Sequence, residues 1–217
     1  MYEFFNVILS PIIFLIETYF QFLSSLIGSQ GISVIITSFT ASILLIPLVK
    51  VARKKEIDAN NRISIIDHEI SYINPSLKGE KRFNAIEGIY KKYKFHPIEN
   101  LYTGLSFFVI FPILISAFLF FSENLSLMNS KFLGFNLNEP DKIFFEFNIL
   151  PLSILVINFI DAKYKFINLD RGKTNYLVLS SVICLLIFNM PSCLTLYWLS
   201  SSVFSLFFSL KEAFLNH

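Results

Sequence analysis

Residues Tyr176–Leu210, YLVLSSVICLLIFNMPSCLTLYWLSSSVFSLFFSL, carry no charged side chain. At about 1.5 Å of rise per helical residue, the stretch is roughly twice as long as one bilayer crossing requires. Met190-Pro191 divides it. Proline cannot continue a helical hydrogen-bond ladder, so the stretch reads as two helices, Tyr176–Met190 and Ser192–Leu210, joined by a tight hairpin. Upstream lie three more apolar runs: Gly31–Val49, Leu101–Phe121 and the shorter Phe147–Ile160. The chain is 54% hydrophobic and 16% charged, with mean hydropathy +0.60. Soluble domains are about a quarter charged, so the surplus apolar surface must face lipid. Disorder fails on the 26 phenylalanines, and Cys184 and Cys193, both inside apolar runs, form no disulfide framework. The expectation is an all-α polytopic membrane protein of one domain, with a five-helix transmembrane core.

Charge orients the spans. Of 18 Lys and Arg, 11 lie between Lys50 and Asn100 and four between Lys163 and Lys173. Ser122–Glu146 holds only Lys131 and Lys142 against Glu123, Glu139, Asp141 and Glu146. Basic loops stay cytoplasmic. Residues 50–100 and 162–174 are therefore expected inside, residues 122–146 outside, and the tail from Lys211 inside. The predicted location is the inner (plasma) membrane of a bacterial type of cell, with the N-terminus outside and the C-terminus cytoplasmic. A net charge of +2 gives no argument for nucleic acid.

Phe4–Ile27 bears a polar stripe, Asn6, Ser10, Glu17, Gln21, Ser24 and Gly28, at helical spacing broken once at Phe14. Such a helix either lies in the outer interface or spans with its stripe turned to protein. A carboxylate near mid-bilayer costs about 2.5–3.5 kcal/mol on insertion scales, so the interfacial amphipathic helix is the expectation. Met1-Tyr2-Glu3 has no positive charge and no small-residue cleavage pattern follows, so no cleaved signal peptide is expected.

Lys50–Asn100 is too long for a structureless connection. Ile63, Ile66, Ile70 and Ile73 recur at helical spacing, as do Phe83, Ile86, Tyr90 and Tyr93, with Asn74-Pro75-Ser76 and Lys78-Gly79 supplying turn chemistry between them. The segment reads as an antiparallel helical hairpin. Its basic flanks, Arg53, Lys54, Lys55 and Lys91, Lys92, Lys94, suit either anionic headgroups, at about 1 kcal/mol per charge near the surface, or a docked ribosome, targeting factor or nascent chain.

No reaction chemistry emerges. The sequence has no GxxxxGK[ST], GxGxxG, HExxH or GxSxG, and His68, His96 and His217 form no ligand set. Asp67-His68-Glu69 reads as solvated helix surface. Neither an enzyme, a metal nor a cofactor is predicted. The remaining signal is polarity within the spans: Ser33, Thr37, Ser38, Thr40 and Ser42 in the first, Ser200, Ser201, Ser202, Ser205 and Ser209 beside Tyr197 and Trp198 in the last, and Asn158, Asp161 and Asn189 near span ends. Two hydroxyl-rich helices either form a packing seam or line a partly hydrated cavity.

Three stretches resemble the YidC–Oxa–Albino family of membrane protein insertases: Gly31–Lys50 with its Pro47 exit; Tyr90–Pro112, YKKYKFHPIENLYTGLSFFVIFP; and Phe188–Ser202, FNMPSCLTLYWLSSS. Leu133–Pro140 and Leu150–Ile160 also fit, so the similarity runs from about Leu9 to Leu210. The resemblance implies a groove open to cytoplasm and lipid and closed outward, in which polar flanks of newly made membrane proteins are received. On this chain the implied groove residues are Thr37, Ser38, Ser42, Tyr197, Ser201, Ser202 and Ser205. Implied partners are nascent membrane proteins, the lipid bilayer, and a ribosome, targeting factor or translocon.

The departures from the family pattern are specific. Ser42 stands where the groove arginine is usual, Ile110 where a glutamine is frequent, and Ser201 and Ser202 where asparagines follow the Leu-Tyr-Trp motif. Lys50 and Arg53 lie two and three turns nearer the cytoplasm, where they could guard the mouth. The chain stops at His217 without a long basic tail, so contact with a ribosome through such a tail is not expected. A neutral groove also admits another reading, a non-inserting scaffold or assembly factor for another membrane complex.

Overall fold

The computed structural model describes residues 2–73, 77–96, 98–99, 105–124, 127, 130–142, 147–166 and 170–215. The Asn74-Pro75-Ser76 turn, the first residues of the expected span 101–121 and residues 143–146 of the external loop lie outside them. The described chain forms α1 (Tyr2–Ile27), α2 (Gln30–Ser71), α3 (Gly79–Lys92), α4 (Leu105–Glu123), a two-stranded antiparallel ribbon of β1 (Lys131–Phe132) and β2 (Phe135–Asn136), then α5 (Ile149–Lys165), α6 (Asp170–Ile187) and α7 (Ser192–Leu215). The protein is all-helical apart from that ribbon. Three described helical segments are long and apolar enough to cross a membrane: Leu9–Ile27, Gln30–Ser71 and Ser192–Phe214. Phe108–Glu123 and Lys173–Ile187 are shorter apolar helices.

The chain divides into two compact units, residues 1–46 with 110–217, and residues 47–109. The boundary coincides with Pro47, where the sequence suggests an exit. The helix runs through it; one proline removes one ladder bond, and Pro47 lies on an exposed face.

In the first unit, Ile16 and Phe20 of α1, Val34 of α2, Ala117, Phe120 and Phe121 of α4, and Cys193, Leu196 and Tyr197 of α7 share one buried cluster. Phe20 packs edge-on against Phe120 and Phe121, with ring centroids 5.5 Å away in each case; such pairs add about 0.5–1.5 kcal/mol beyond burial. Gly28, at φ 71°, turns α1 into α2. Ser24 Oγ then donates to Gln30 Oε1 at 2.9 Å, and Tyr19 OH pairs with Thr40 Oγ1 at 3.0 Å. The partners move apart in step on either side of the turn, so α1 lies antiparallel beside α2.

Relative helix directions follow from the other pairs. Ser38 with Tyr197 and Ser42 with Ser201 keep one sequence offset, so α2 and α7 are parallel. Pro151 with Cys184 and Asn158 with Tyr176 run oppositely, so α5 and α6 are antiparallel.

One end of this unit is capped. Ser192 N and Oγ donate to the Glu139 carbonyl at 2.8 and 2.6 Å, and Cys193 N donates to the Leu137 carbonyl at 2.9 Å. These bonds satisfy N–H groups that the first turn of α7 leaves unpaired. Asp141 Oδ2 accepts from Ile149 N and Leu150 N at 2.6 and 3.1 Å, capping α5, and Asn148 Nδ2 donates to the Phe188 carbonyl beyond α6. The ribbon approaches α2 so closely that a Cβ on Gly31 would sit 2.2 Å from Phe132 Cγ.

In the second unit, Ile63 and Ile66 of α2 pack with Phe95, flanked by Ile70, Ile89, Tyr90 and Tyr93. Polar pairs close the edges: Lys92 Nζ–Glu69 Oε1 at 2.7 Å, Tyr93 OH donating to Glu69 Oε1, and Arg62–Glu99 at 3.0 Å. Glu69 pairs with residues 92–93 and Arg62 with residue 99, so these segments lie antiparallel.

Candidate substrate groove

The seam between α2 and α7 brings the hydroxyl-rich faces of the two helices together. Ser38 Oγ donates to the Tyr197 carbonyl at 2.7 Å. One turn further along both helices, Ser42 Oγ donates to Ser201 Oγ at 3.3 Å, and Phe39 and Phe204 face each other at 6.2 Å. The two bonds lie one helical turn apart on each helix, the first to the Tyr197 backbone and the second to the Ser201 hydroxyl.

Burial changes along the seam. Ser33 and Ser38 are fully buried, Thr37 and Tyr197 are 2% exposed, and Thr37 Oγ1 has no hydrogen-bond partner. Ser42, Ser201, Ser202 and Ser205 are half-buried. The sequence-derived set therefore splits in two: Thr37, Ser38 and Tyr197 belong to the packed interior, and the four others are half-buried further along the seam. Tyr197 rests on Phe121, 5.7 Å between ring centroids, which closes the interior on the α4 side.

A polar cluster continues from the half-buried part. Ser205 Oγ, one turn beyond Ser201, donates to Asp161 Oδ2 at 3.0 Å, and Tyr176 OH reaches the same oxygen at 3.1 Å and Asn158 Oδ1 at 3.3 Å. Asp161 is fully buried, and its Oδ1 has no hydrogen-bond partner among the described residues. The sequence places Asp161 just past a span ending at Ile160, because Asp-Ala-Lys-Tyr-Lys reads as the start of a loop. The helix in fact continues to Lys165 and carries the carboxylate inside. A single acid following a long apolar run was the only available signal.

The six basic residues expected to form a docking surface all fall in the second unit. Arg53 is half-buried; Lys54, Lys55, Lys91, Lys92 and Lys94 are exposed. Lys91 pairs with Glu87 at 2.7 Å and Lys92 with Glu69. Hydrogen bonds from Lys92 and Tyr93 hold the Glu69 carboxyl below its ordinary value, while Glu69 raises Lys92 and Tyr93. No group of three metal-ligating side chains occurs among the described residues.

These features define an all-helical membrane protein in which α2 and α7 meet along a hydroxyl-lined seam, buried at Thr37, Ser38 and Tyr197 and half-buried at Ser42, Ser201, Ser202 and Ser205. The family model described as 60Kd inner membrane protein matches residues 22–211, and the chain belongs to that family, the YidC/Oxa family its motifs resemble. Relatives are named "Membrane protein insertase YidC". That of Fusobacterium nucleatum is 26% identical over 178 residues, covering 82% of each chain. That of Chlamydia muridarum is 27% identical over 224 residues, 91% of this chain and 27% of its own length. That of Leptospira interrogans is 25% identical over 196 residues, 83% of this chain and 30% of its own. The chain thus spans less than a third of the latter two. The names describe an insertase, not an enzyme of covalent chemistry.

Proposed function

We propose that this protein is a membrane protein insertase, or membrane chaperone, acting on newly made membrane proteins in the lipid bilayer. Residues 31–49 of α2, with α4, α5, α6 and α7, form its five-span core, residues 50–100 are its cytoplasmic hairpin, and the cap over α5 and α7 is its outward closure. The observation that carries the reading is the change of burial along the α2–α7 seam, where Thr37, Ser38 and Tyr197 are buried, Ser42, Ser201, Ser202 and Ser205 are half-buried, and Ser209 is buried again; we read the half-buried stretch as the mouth of the groove.

Polar chain entering hydrocarbon bare loses its hydrogen bonds at several kcal/mol per unsatisfied group. A recess with hydroxyls on both walls, wetted from the cytoplasmic side, shares that desolvation and shortens the remaining apolar path. The half-buried hydroxyls exchange partners at little cost, since Ser–Ser contacts in a bundle are worth about 0.6 kcal/mol.

α1 is the one place where this reading departs from the interfacial expectation. Thr40 lies ten residues along α2 from Gln30, about 15 Å, and a helix turning away flat at Gly28 could not bring Tyr19 to it. With Leu9–Ile27 long enough to cross, α1 is proposed to stand beside α2, its Tyr2 end on the cytoplasmic side.

Crosslinking in living cells tests the function: a photoreactive group at Ser42 or Ser202 should trap many nascent membrane chains, and one at Ser38 few. Capture of one fixed resident protein at all three would replace this reading with the scaffold, which the neutral Ser42–Ser201 pair favours.

A further inference from the structure

Resting on the reading of residues 31–49 as a membrane span, we propose that the β1–β2 turn is a lipid-contact site, in which Leu133 enters the interfacial layer of the bilayer beside the start of α2. Its exposure, its backbone and its depth lead there.

The phenylalanines on either side of the turn face the bundle. Phe135 is buried in the core cluster of the first unit and Phe132 packs against that cluster, the two rings edge to face with centroids 6.2 Å apart. Leu133, between them, is 81% exposed, more than any other large apolar side chain among the described residues. A lone exposed leucine is ordinary; its conformation is not. Phe132 pairs with Phe135, so Leu133 and Gly134 form a two-residue turn, with φ angles of 48° and 93°. A turn with positive φ at both positions favours Asn-Gly or Asp-Gly, whose short polar side chain bonds locally. Leucine offers no such bond and would leave its side chain in water. Both effects disfavour an aqueous setting, and the second reverses sign at a hydrocarbon edge.

The depth of the turn fits that edge. A Cβ on Gly31 would lie 2.7 Å from Phe132 Cβ, which puts the Leu133 Cα within about 10 Å of the Gly31 Cα. Gly31 is the second residue of α2 and the first of the expected span. Leu26 and Ile32, on either side of the α1–α2 turn, are exposed too, so apolar surface continues past Gly31 towards the ribbon. Groups that dock on a bilayer from one side lie about 5–10 Å into the boundary between headgroups and chains. Lys131, two residues before the tip, is exposed, and its charge complements headgroup phosphate while its stem stays in apolar surroundings.

The experiment uses the full chain in phosphatidylcholine vesicles whose lipids are brominated either near the headgroup or near the chain ends. Tryptophan quenching is read as the difference from wild type, which carries Trp198. The signal added by Leu133→Trp should be quenched about twofold more by the shallow bromines than by the deep ones, as suits a side chain about 5–10 Å into the boundary, and iodide in the buffer should leave it bright. Ile43→Trp, at an exposed position well inside the same span, should show the opposite order of depths. If Leu133→Trp gives no detergent-stable monomer, a nitroxide on Leu133→Cys reads the same property: dissolved oxygen should relax it more than a water-soluble nickel chelate. Iodide quenching of the Leu133→Trp signal without a response to brominated lipid, or a nitroxide relaxed chiefly by the chelate, places the turn in water and overturns the proposal. An Ile43→Trp signal that ignores the deep bromines overturns the span reading, and this inference with it.

Discussion

At the scale of single residues, Ser38 and Ser42 are chemically identical and one turn apart, yet they sit in opposite environments. Ser38 is fully buried against the Tyr197 backbone; Ser42 is half-buried against a hydroxyl. An arginine at 42 can extend into the open seam, so Ser42→Arg should leave the thermal midpoint in detergent within a few degrees of wild type and widen the range of tails inserted. Ser38→Arg buries an unpaired charge in a close-packed cluster and should cost 3 kcal/mol or more, to an order of magnitude, visible as loss of detergent-stable monomer. Gly31 gives a second contrast. A Cβ there meets Phe132 Cγ, Cδ2 and Cβ at 2.2–2.7 Å, near the root of that side chain, not its flexible tip. Gly31→Ala should therefore destabilise by about 1–3 kcal/mol, whereas Gly88→Ala, with nothing within 4 Å and a helical backbone, should stabilise by up to about 1 kcal/mol. Thermal unfolding of the two variants in parallel checks both signs.

At the scale of elements, the hairpin of the second unit is held by few apolar contacts and a polar clasp at Glu69. The Glu69 carboxyl is depressed in the folded state, so its contribution is present above its ordinary value of 4.5 and is lost as pH falls through the lowered folded value. Lys92 and Tyr93 are raised, so their contributions hold below 10.5 and 10.0 and are lost as pH climbs through the raised values. Amide protection factors in α3 should accordingly form a plateau between about pH 5 and 10 and fall on both sides, while Glu69→Gln should lower the plateau and remove its acidic edge. The placement of α1 has its own check. A single cysteine at Glu3 should react with an impermeant maleimide only after the cytoplasmic face is opened; labelling in intact cells would return α1 to the outer interface.

Much at this scale was legible in the sequence, because hydropathy and the proline at 191 mark where helices must start and stop. What was not legible has physical reasons. Pro47 lies near the expected end of the first span, but nothing in the sequence says that one helix continues through it to Ser71. Asp161 reads as loop because its partners, Ser205 and Tyr176, are distant in sequence and only packing unites them. β1 and β2 have two residues each, too few for any alternation to show. The seam itself was half legible: the serine spacing named both walls, but spacing does not say how deep each hydroxyl lies, and depth separates Ser38 from Ser42.

At the scale of the whole molecule, the bonds from Ser192 and Cys193 to the 137–139 backbone, with Asp141 and Asn148 at the ends of α5 and α6, tie these helix ends together on one side of the first unit. Every one of those bonds uses a backbone group that a helix terminus would otherwise leave open to water. With the seam read as a groove, water admitted from the cytoplasm meets a blind end instead of a pore. A cell can therefore keep such a recess permanently wet without leaking protons or sodium, and its ion gradients survive even when many copies stand idle. Planar-bilayer recordings of the wild-type protein should be electrically silent.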